Sequence, residues 1–302
     1  MEKEKLICVV GTNASGKSAL GIALAQRFGG EILSADSRQI FEGFDLCCGK
    51  VTAEERALVP HHLLDVRKIG EPFSVSDYQS ECYRLIPEIV GRGHVPMLVG
   101  GTGLYVSAVV KGYALMQGEP DEALRKELES KELEELYPLL PPQELQRLKG
   151  NPSDYRNKRR IIRCIEKSRS GGQGAAENAP RYDALQLGLT WPMEVLQRRI
   201  DERLDARLKQ GMVDEVRDYL SAGGEGRYLM DLGLEYRFIY RYLQGEFESE
   251  AAFRAALSTA IRQFSTRQMT WFRRDGSIHW LHGEGDYLSA AAALVEAFLQ
   301  KE

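Results

Sequence analysis

Cysteine is scarce in this 302-residue chain, and its pattern excludes two kinds of architecture. The five cysteines, Cys8, Cys47, Cys48, Cys82 and Cys164, are odd in number and show no C-x-x-C spacing. A disulfide framework and a cysteine zinc site are therefore not expected, and the cysteines read as reduced thiols of a cytoplasmic protein. The His61-His62 pair lacks partners at metal-ligand spacing and reads as structural or hydrogen-bonding. Positive charge is not in excess either: 40 Lys and Arg face 44 Asp and Glu, a net charge of −4. A nucleic-acid role would need a local basic patch, since the bulk charge gives none. Long apolar runs are also missing. LICVV after MEKEK is too short for a signal-peptide core, and YLSAAAALVEAFL is interrupted by Glu296 and falls short of a membrane span. No internal repeat is visible. What remains is an ordinary globular balance, 43% hydrophobic and 28% charged, long for one domain and sufficient for two.

The apolar pattern begins with Leu6 to Val10, a buried-strand signature that ends at Gly11. Helical periodicity follows from Ser18 to Phe28 and stops at Gly29-Gly30. EILSADS reads as a short strand ending at Asp36, FSVSDYQSECYRLIPEIVGRG as a helix, and HVPMLVGGTG as a strand running into a glycine turn. This order predicts an α/β fold of the P-loop NTPase-like type: a parallel sheet flanked by helices, with phosphate chemistry at the strand C-termini. Residues 116–180 read as a helical insertion that ends in the glycine-rich loop Ser170 to Pro180. YDALQLGLTW returns as a strand, and helices follow to the end, MEVLQRRIDERLDARLKQGMVDEVRDYLSAGG among them. The catalytic core is thus assigned to 1–115 and 181–302.

Gly11, Thr12, Asn13, Ala14, Ser15, Gly16, Lys17 and Ser18 form G-x-x-x-x-G-K-S between a strand and a helix. In that context the backbone N–H groups of Asn13 to Ser18 should cradle phosphate, Lys17 should add a point charge, and Ser18 should ligate Mg²⁺. Alone, such a loop most often means ATP. Asp36 stands at a strand end, where metal binding through water, helix capping and general-base catalysis are comparably open. Thr102, in GGTGLY, is either a helix cap or a hydroxyl beside a ligand. Arg156, Arg160, Arg163 and Lys167 share one helical face with almost no acid interleaved, a ridge suited to a nucleic-acid backbone. Arg199, Arg203 and Arg207 recur every four residues. Asp201, Glu202 and Asp205 lie beside them, so surface ion pairs compete with a pyrophosphate clamp. AIRQFSTRQMTWFRR interleaves Arg with Phe264, Trp271 and Phe272, which are either core residues or base-stacking ones.

These segments, in this order, resemble the tRNA dimethylallyltransferase family, also called tRNA isopentenyltransferases. The resemblance is carried by GTNASGKS, SADSRQIF, VPHHLLDV, EPFSVSDY, VPMLVGGTGLY, RRIIRCIE, QRRIDERLDARLKQGMVDEV and STRQMTWFR. It implies transfer of a five-carbon prenyl group from dimethylallyl diphosphate to N6 of the adenosine 3′ of the anticodon, with Mg²⁺ as cofactor. By the same resemblance Gly11 to Ser18 would bind the diphosphate, Asp36 would be the general base, and Thr102 would assist. Arg199 or Arg203 would bind pyrophosphate. Asp36, Ser37, Arg38, Gln39, Thr102, Arg125, Arg159, Arg160, Arg163, Arg267 and Gln268 would contact tRNA. The helical insertion would grip the anticodon stem-loop, and a cytoplasmic monomer is the default expectation. Three segments depart from the family's usual pattern: CCGK (Cys47 to Lys50) for GTAK, LGLEYR (Leu232 to Arg237) for an IGYKE-like segment, and Thr266 for a lysine. Competing expectations are an adenylate isopentenyltransferase acting on free nucleotide, a P-loop small-molecule or nucleotide kinase, and a tRNA-binding paralogue without catalysis.

Overall fold

The computed structural model describes residues 3–115, 121–169 and 178–301. Two compact units emerge, Met1–Gly112 with Pro180–Glu302, and Tyr113–Ala179.

The first unit is built on β1 (Lys5–Gly11). Leu6, Ile7, Cys8, Val9 and Val10 are all fully buried, as a central parallel strand covered on both faces requires. Next come α1 (Lys17–Phe28), β2 (Gly30–Ser34), α2 (Asp45–Cys48), α3 (Ala53–Leu58), β3 (His61–His62), α4 (Val75–Gly91), β4 (Val95–Gly100) and α5 (Gly103–Val110). The second unit holds α6 (Glu122–Glu129), α7 (Leu133–Leu136), α8 (Pro142–Lys149), α9 (Pro152–Tyr155) and α10 (Lys158–Arg169). The chain then re-enters the first unit with β5 (Asp183–Thr190), α11 (Met193–Lys209), α12 (Met212–Ser221), α13 (Gly226–Leu232), α14 (Leu234–Leu243), α15 (Glu250–Phe272), β6 (Ile278–His282) and α16 (Tyr287–Gln300).

The sheet order is β3-β2-β4-β1-β5-β6, and every pairing is parallel. Alternation along β1 sends Leu6, Cys8 and Val10 to one face, against α4 and α5 residues such as Tyr78, Ile86, Tyr105 and Val109. Ile7 and Val9 go to the other face, against Leu20 and Leu24 of α1 and Ala292 and Val295 of α16. Each fully buried aliphatic side chain contributes about 1.5–3 kcal/mol. A third cluster, with Leu196, Leu204, Tyr236, Phe253 and Leu257, joins α11 to α15.

Several expected boundaries move. β2 ends at Ser34, although Ala35 still donates its N–H to Val99 O at 2.9 Å, so Asp36 lies two residues beyond the strand. The long helix after Trp191 breaks at Gly211, whose φ of 102° a continuous helix does not allow. Two strands escape the sequence reading. His61-His62 is the edge strand β3, and IHWLH is β6, not a further helix. α16 opens at Asp286, whose carboxylate accepts the Ser289 N–H at 3.1 Å. In the helical unit, Leu128, Leu136, Leu148, Ile161, Ile162 and Ile165 make a core of their own. Residues 170–177 of the expected glycine-rich loop, and 116–120 at the start of the insertion, lie outside the described residues. All five cysteines are free thiols.

Candidate active site

Three turns meet at the C-terminal edge of the sheet, as the topology requires for ligand-binding segments. The first is the phosphate loop between β1 and α1. Gly16 holds the left-handed N-cap of α1, and Ala14 is left-handed as well, with φ of 60°. This conformation costs a residue with a Cβ about 1–2 kcal/mol and persists only where the surroundings impose it. Those surroundings are identifiable. Ala14 O accepts from Arg199 Nε at 2.8 Å, Ser15 O accepts from Trp191 Nε1 at 2.7 Å, and the Arg199 guanidinium stacks 4.4 Å from the Trp191 ring. Lys17 Nζ donates to Thr12 O at 3.3 Å. Burial pushes the Lys17 ammonium down to about 8; Asp36 opposes that shift, and the charges of Arg203 and Arg207 add to it.

Not every loop N–H is free to meet a phosphate. Asn13 N–H already donates to Gln268 Oε1 at 2.9 Å, and Ser15 N–H to Thr12 O at 3.3 Å. The expected cradle of Asn13 to Ser18 N–H groups is thus smaller by two members. Gln268 is itself buried, and its Nε2 donates to Gly101 O at 2.9 Å. Each end of its amide makes one of these bonds, so it braces the phosphate loop against the GGTG turn. Neighbouring Arg267 is exposed, with its guanidinium 5.7 Å from the Phe264 ring.

The second turn is Asp36 to Gln39. Asp36 Oδ1 accepts the Arg38 N–H at 3.0 Å, and Asp36 O accepts the Gln39 N–H at 3.2 Å. These bonds close a turn with no helix behind it, so Asp36 caps no helix, and its carboxylate lines a cavity. Gln39 reaches inward, with Oε1 2.8 Å from Ser34 Oγ and Nε2 donating to Gly49 O at 3.2 Å. The third turn, Gly100 to Gly103, touches the second. Thr102 N–H donates to Ala35 O at 3.0 Å, and Thr102 Oγ1 accepts the Ser37 N–H at 3.0 Å. The hydroxyl does not cap α5. A Cβ at Gly100 would lie 2.1 Å from Ala35 O, so only glycine permits this approach.

Two cavities meet at the phosphate loop and share Ala14 and Arg203. The outer one is bordered by Gly16, Lys17, Ser18, Glu55, Arg199 and Glu202. The inner one is lined by Asn13, Asp36, Arg38, Cys48, Arg203, Arg207, Glu235 and Phe264, among others. The question of surface ion pairs on α11 is answered by α15. Asp205 takes Arg254 through two bonds of 2.6 and 2.8 Å, and Asp201 takes Arg262 and Ser258. With these carboxylates turned to α15, Arg199, Arg203 and Arg207 face the cavities. Arg203 Nη2 donates to Gly49 O at 3.4 Å, and burial followed by the charge of Arg207 lowers its guanidinium to about 10. Phe264 stands at the inner cavity with Arg38 5.2 Å from its ring, whereas Phe272 is core. Burial holds the Cys48 thiol at about 12, so it stays protonated.

The basic ridge of α10 is partly paired. Buried Glu166 accepts from Arg125 at 2.8 and 3.0 Å and from Arg163 at 3.1 Å, and Arg160 bridges to Asp154. These guanidiniums keep exposed edges, and Arg159 is exposed. No group of three or more His, Cys, Asp or Glu able to hold a metal occurs among the described residues. Among them no helix is long and apolar enough to cross a membrane.

Known proteins resemble this chain over almost its whole length. A tRNA dimethylallyltransferase 2 of Shewanella sediminis is 41% identical over 98% of this chain and 99% of its own. A tRNA dimethylallyltransferase of Streptococcus equi subsp. zooepidemicus is 38% identical over the full length of both. The crystal structure of a full-length tRNA isopentenylpyrophosphate transferase from Bacillus halodurans superposes with a TM-score of 0.74 at 34% identity, covering 99% of this chain and 97% of that one. A eukaryotic dimethylallyltransferase acting on tRNA shares the fold, with a TM-score of 0.79 at 23% identity over 98% of this chain and 79% of its own. Residues 39–275 match the family model described as IPP transferase, and this chain belongs to that family.

Proposed function

We propose that this protein modifies tRNA by transferring a dimethylallyl group from dimethylallyl diphosphate to N6 of the adenosine 3′-adjacent to the anticodon, releasing pyrophosphate. The observation that carries this reading is one cavity wall on which a carboxylate, Asp36, adjoins a phosphate loop and a cluster of guanidiniums. The family relatives bear the corresponding name.

The chemistry follows from the residue types. The C–O bond of the donor breaks as N6–C forms, the electron pair leaves with pyrophosphate, and the N6 proton passes to Asp36. Adenine's amine is a poor nucleophile, so a carboxylate held within hydrogen-bond reach and an aligned approach are needed. The Arg38 N–H fixes the Asp36 carboxylate in one orientation. Lys17 and Arg203 offer fixed positive charge where negative charge grows. Arg199 braces the loop through Ala14 O and also borders the outer cavity, where it would meet the pyrophosphate. The target base must leave its stack to enter the inner cavity, at a cost of roughly a few kcal/mol, least in a loop. Arg38 and Arg267 flank Phe264 at that cavity and suit the incoming nucleotide. The helical unit offers Arg125, Arg159, Arg160 and Arg163 to the anticodon stem-loop.

Mg²⁺ is the expected cofactor. Ser18 borders the outer cavity beside Lys17, and a hydroxyl next to a bound diphosphate suits an ion that prefers phosphate oxygens and water to an all-protein cage. When bound, it would neutralise charge on the diphosphate. We take the protein to act as a monomer in the cytoplasm, where a tRNA substrate is found.

The test mixes the protein with radiolabelled dimethylallyl diphosphate, Mg²⁺ and either unmodified tRNA or AMP. Label entering tRNA supports the reading. Label entering AMP alone makes the protein an adenylate isopentenyltransferase, and ATP-dependent phosphorylation of a small acceptor without prenyl transfer makes it a kinase.

A further inference from the structure

Two of the segments that depart from the family pattern meet around one side chain. Arg207 of α11 directs its guanidinium against Gly49 of the CCGK segment. A Cβ on Gly49 would lie 1.4 Å from Arg207 Nη2 and 2.5 Å from Arg203 Nη2. The two guanidinium ends therefore abut at a single point of the cavity wall, the point that the absent Cβ leaves open. Glu235, from the LGLEYR segment, is buried in the same wall. Burial raises its carboxyl, while the charges of Arg38, Arg207 and Arg203 act to keep it ionised.

The backbone at Gly49 cannot retreat. Glu215 accepts the Leu46 and Cys47 N–H groups at 2.7 and 2.9 Å, one residue apart at the start of α2. Lys50 is bound to Asp45, Asp65 and the carbonyls of Phe41 and Gly43. Gly49 O itself takes Gln39 and Arg203. Gly49 is left-handed, with φ of 62°, so a side chain introduced there strains this turn as well as displacing the end of Arg207.

Side-by-side guanidiniums in a half-buried wall repel, and they are tolerated where an anion of more than one charge binds between them. Arg203 belongs to both cavities, so its neighbour Arg207 is one guanidinium away from the phosphate loop, on the side of Asp36. We propose that Arg207 is a second diphosphate-binding guanidinium, admitted to the site by the missing Cβ of Gly49, in a wall that it shares with buried Glu235. This rests on the donor's diphosphate lying in the Gly11 to Ser18 loop. Arg203 and Arg207 then stabilise the departing pyrophosphate together.

Calorimetric titration with inorganic pyrophosphate tests this apart from catalysis. Arg207→Met weakens pyrophosphate binding by about tenfold or more, the loss of one charge-assisted contact. Gly49→Ala weakens it similarly by evicting Arg207, and the double variant is no weaker than Arg207→Met, within about twofold, because the two changes remove one interaction. The donor KM rises in parallel while the tRNA KM stays within about twofold of the parent. Arg207→Gln removes the charge with a polar side chain and serves if the methionine variant does not fold. Pyrophosphate binding unchanged in the arginine variants, or losses at Gly49 and Arg207 that multiply, overturns the proposal. If the parent protein transfers no prenyl group yet shows the same pyrophosphate pattern, the guanidinium assignment stands and the transfer reading falls.

Discussion

Replacing Gln268 with leucine removes a brace between two turns and leaves their backbone groups behind. Gln268 Oε1 and Nε2 each make a 2.9 Å bond, to Asn13 N–H and Gly101 O. The side chain is buried, so water cannot replace it. An orphaned buried donor or acceptor costs about 1–3 kcal/mol, which puts the pair at roughly 2–6 kcal/mol before leucine's apolar burial offsets part of it. For a chain of this size each kcal/mol lowers Tm by about 2–4 °C, so a net loss of about 2–3 kcal/mol lowers it by roughly 4–12 °C. Catalysis should suffer beyond stability. The phosphate loop and the Thr102 turn lose their mutual register, and a misplacement of about 1 Å costs on the order of a hundredfold in rate. Urea unfolding followed by circular dichroism measures the first effect, and single-turnover prenyl transfer well below Tm measures the second. Gln268→Glu separates the two ends: a carboxylate still accepts from Asn13 but opposes the Gly101 carbonyl with a lone pair. If Gln268→Leu unfolds within about 0.5 kcal/mol of the parent and turns over normally, the brace is not what holds the two turns.

Asp36→Ala should abolish transfer while tRNA binding, measured by gel shift, stays near that of the parent; near-normal turnover would remove Asp36 from the role of base. Lys17 titrates at about 8 without ligand, and a bound phosphate draws the proton back, so pyrophosphate binding takes up a proton above that pH and weakens by up to about tenfold per unit. Calorimetry in buffers of different ionisation enthalpy detects that uptake, and equal apparent enthalpies at pH 9 contradict it. Because the folded value lies below the unfolded 10.5, the same lysine makes stability rise with pH between about 8 and 10.5. At the far end of the sheet, Arg92 first and then His62 hold Glu31 down to about 2 from 4.5, so its stabilisation is present above 4.5 and lost as pH falls through 2. Glu31→Gln should thus lower stability at neutral pH and flatten acid unfolding below pH 4.5, and an unchanged acid titration speaks against this.

The fold was largely legible because β1, α1, β4 and β5 carry unambiguous periods and the phosphate loop names its own neighbours. IHWLH was not legible, since a five-residue edge strand with two exposed histidines lacks the continuous apolar run of the central strands. The roles of the α11 arginines were not legible either. Their spacing allowed ion pairs with Asp201 and Asp205, and only the packing of α15, with Arg254 and Arg262 in place, turns those carboxylates away. The bracing role of Gln268 was not legible, because nothing in a sequence says whether an amide on a helix looks outward or into the fold.

Taken together, the three turns explain why a loop typical of nucleotide hydrolysis suits prenyl transfer. In this molecule the loop is tied on every side: Arg199 and Trp191 hold the carbonyls of Ala14 and Ser15, and Gln268 holds the Asn13 N–H. Thr102 ties the glycine turn to Ser37, next to Asp36. Each tie fixes a dipole or charge before substrate arrives, which is what lowers a barrier at a site of growing negative charge. An allylic diphosphate needs little push to leave, so the demanding part is to hold a weak amine and its proton acceptor in line with the breaking bond. The ties between the Asp36 turn and the phosphate loop run through Thr102, Gly101 and Gln268, residues from two separate stretches of chain. The phosphate-binding motif therefore supplies the leaving-group site, and the distance from it to Asp36 is set by the glycine turn and α15.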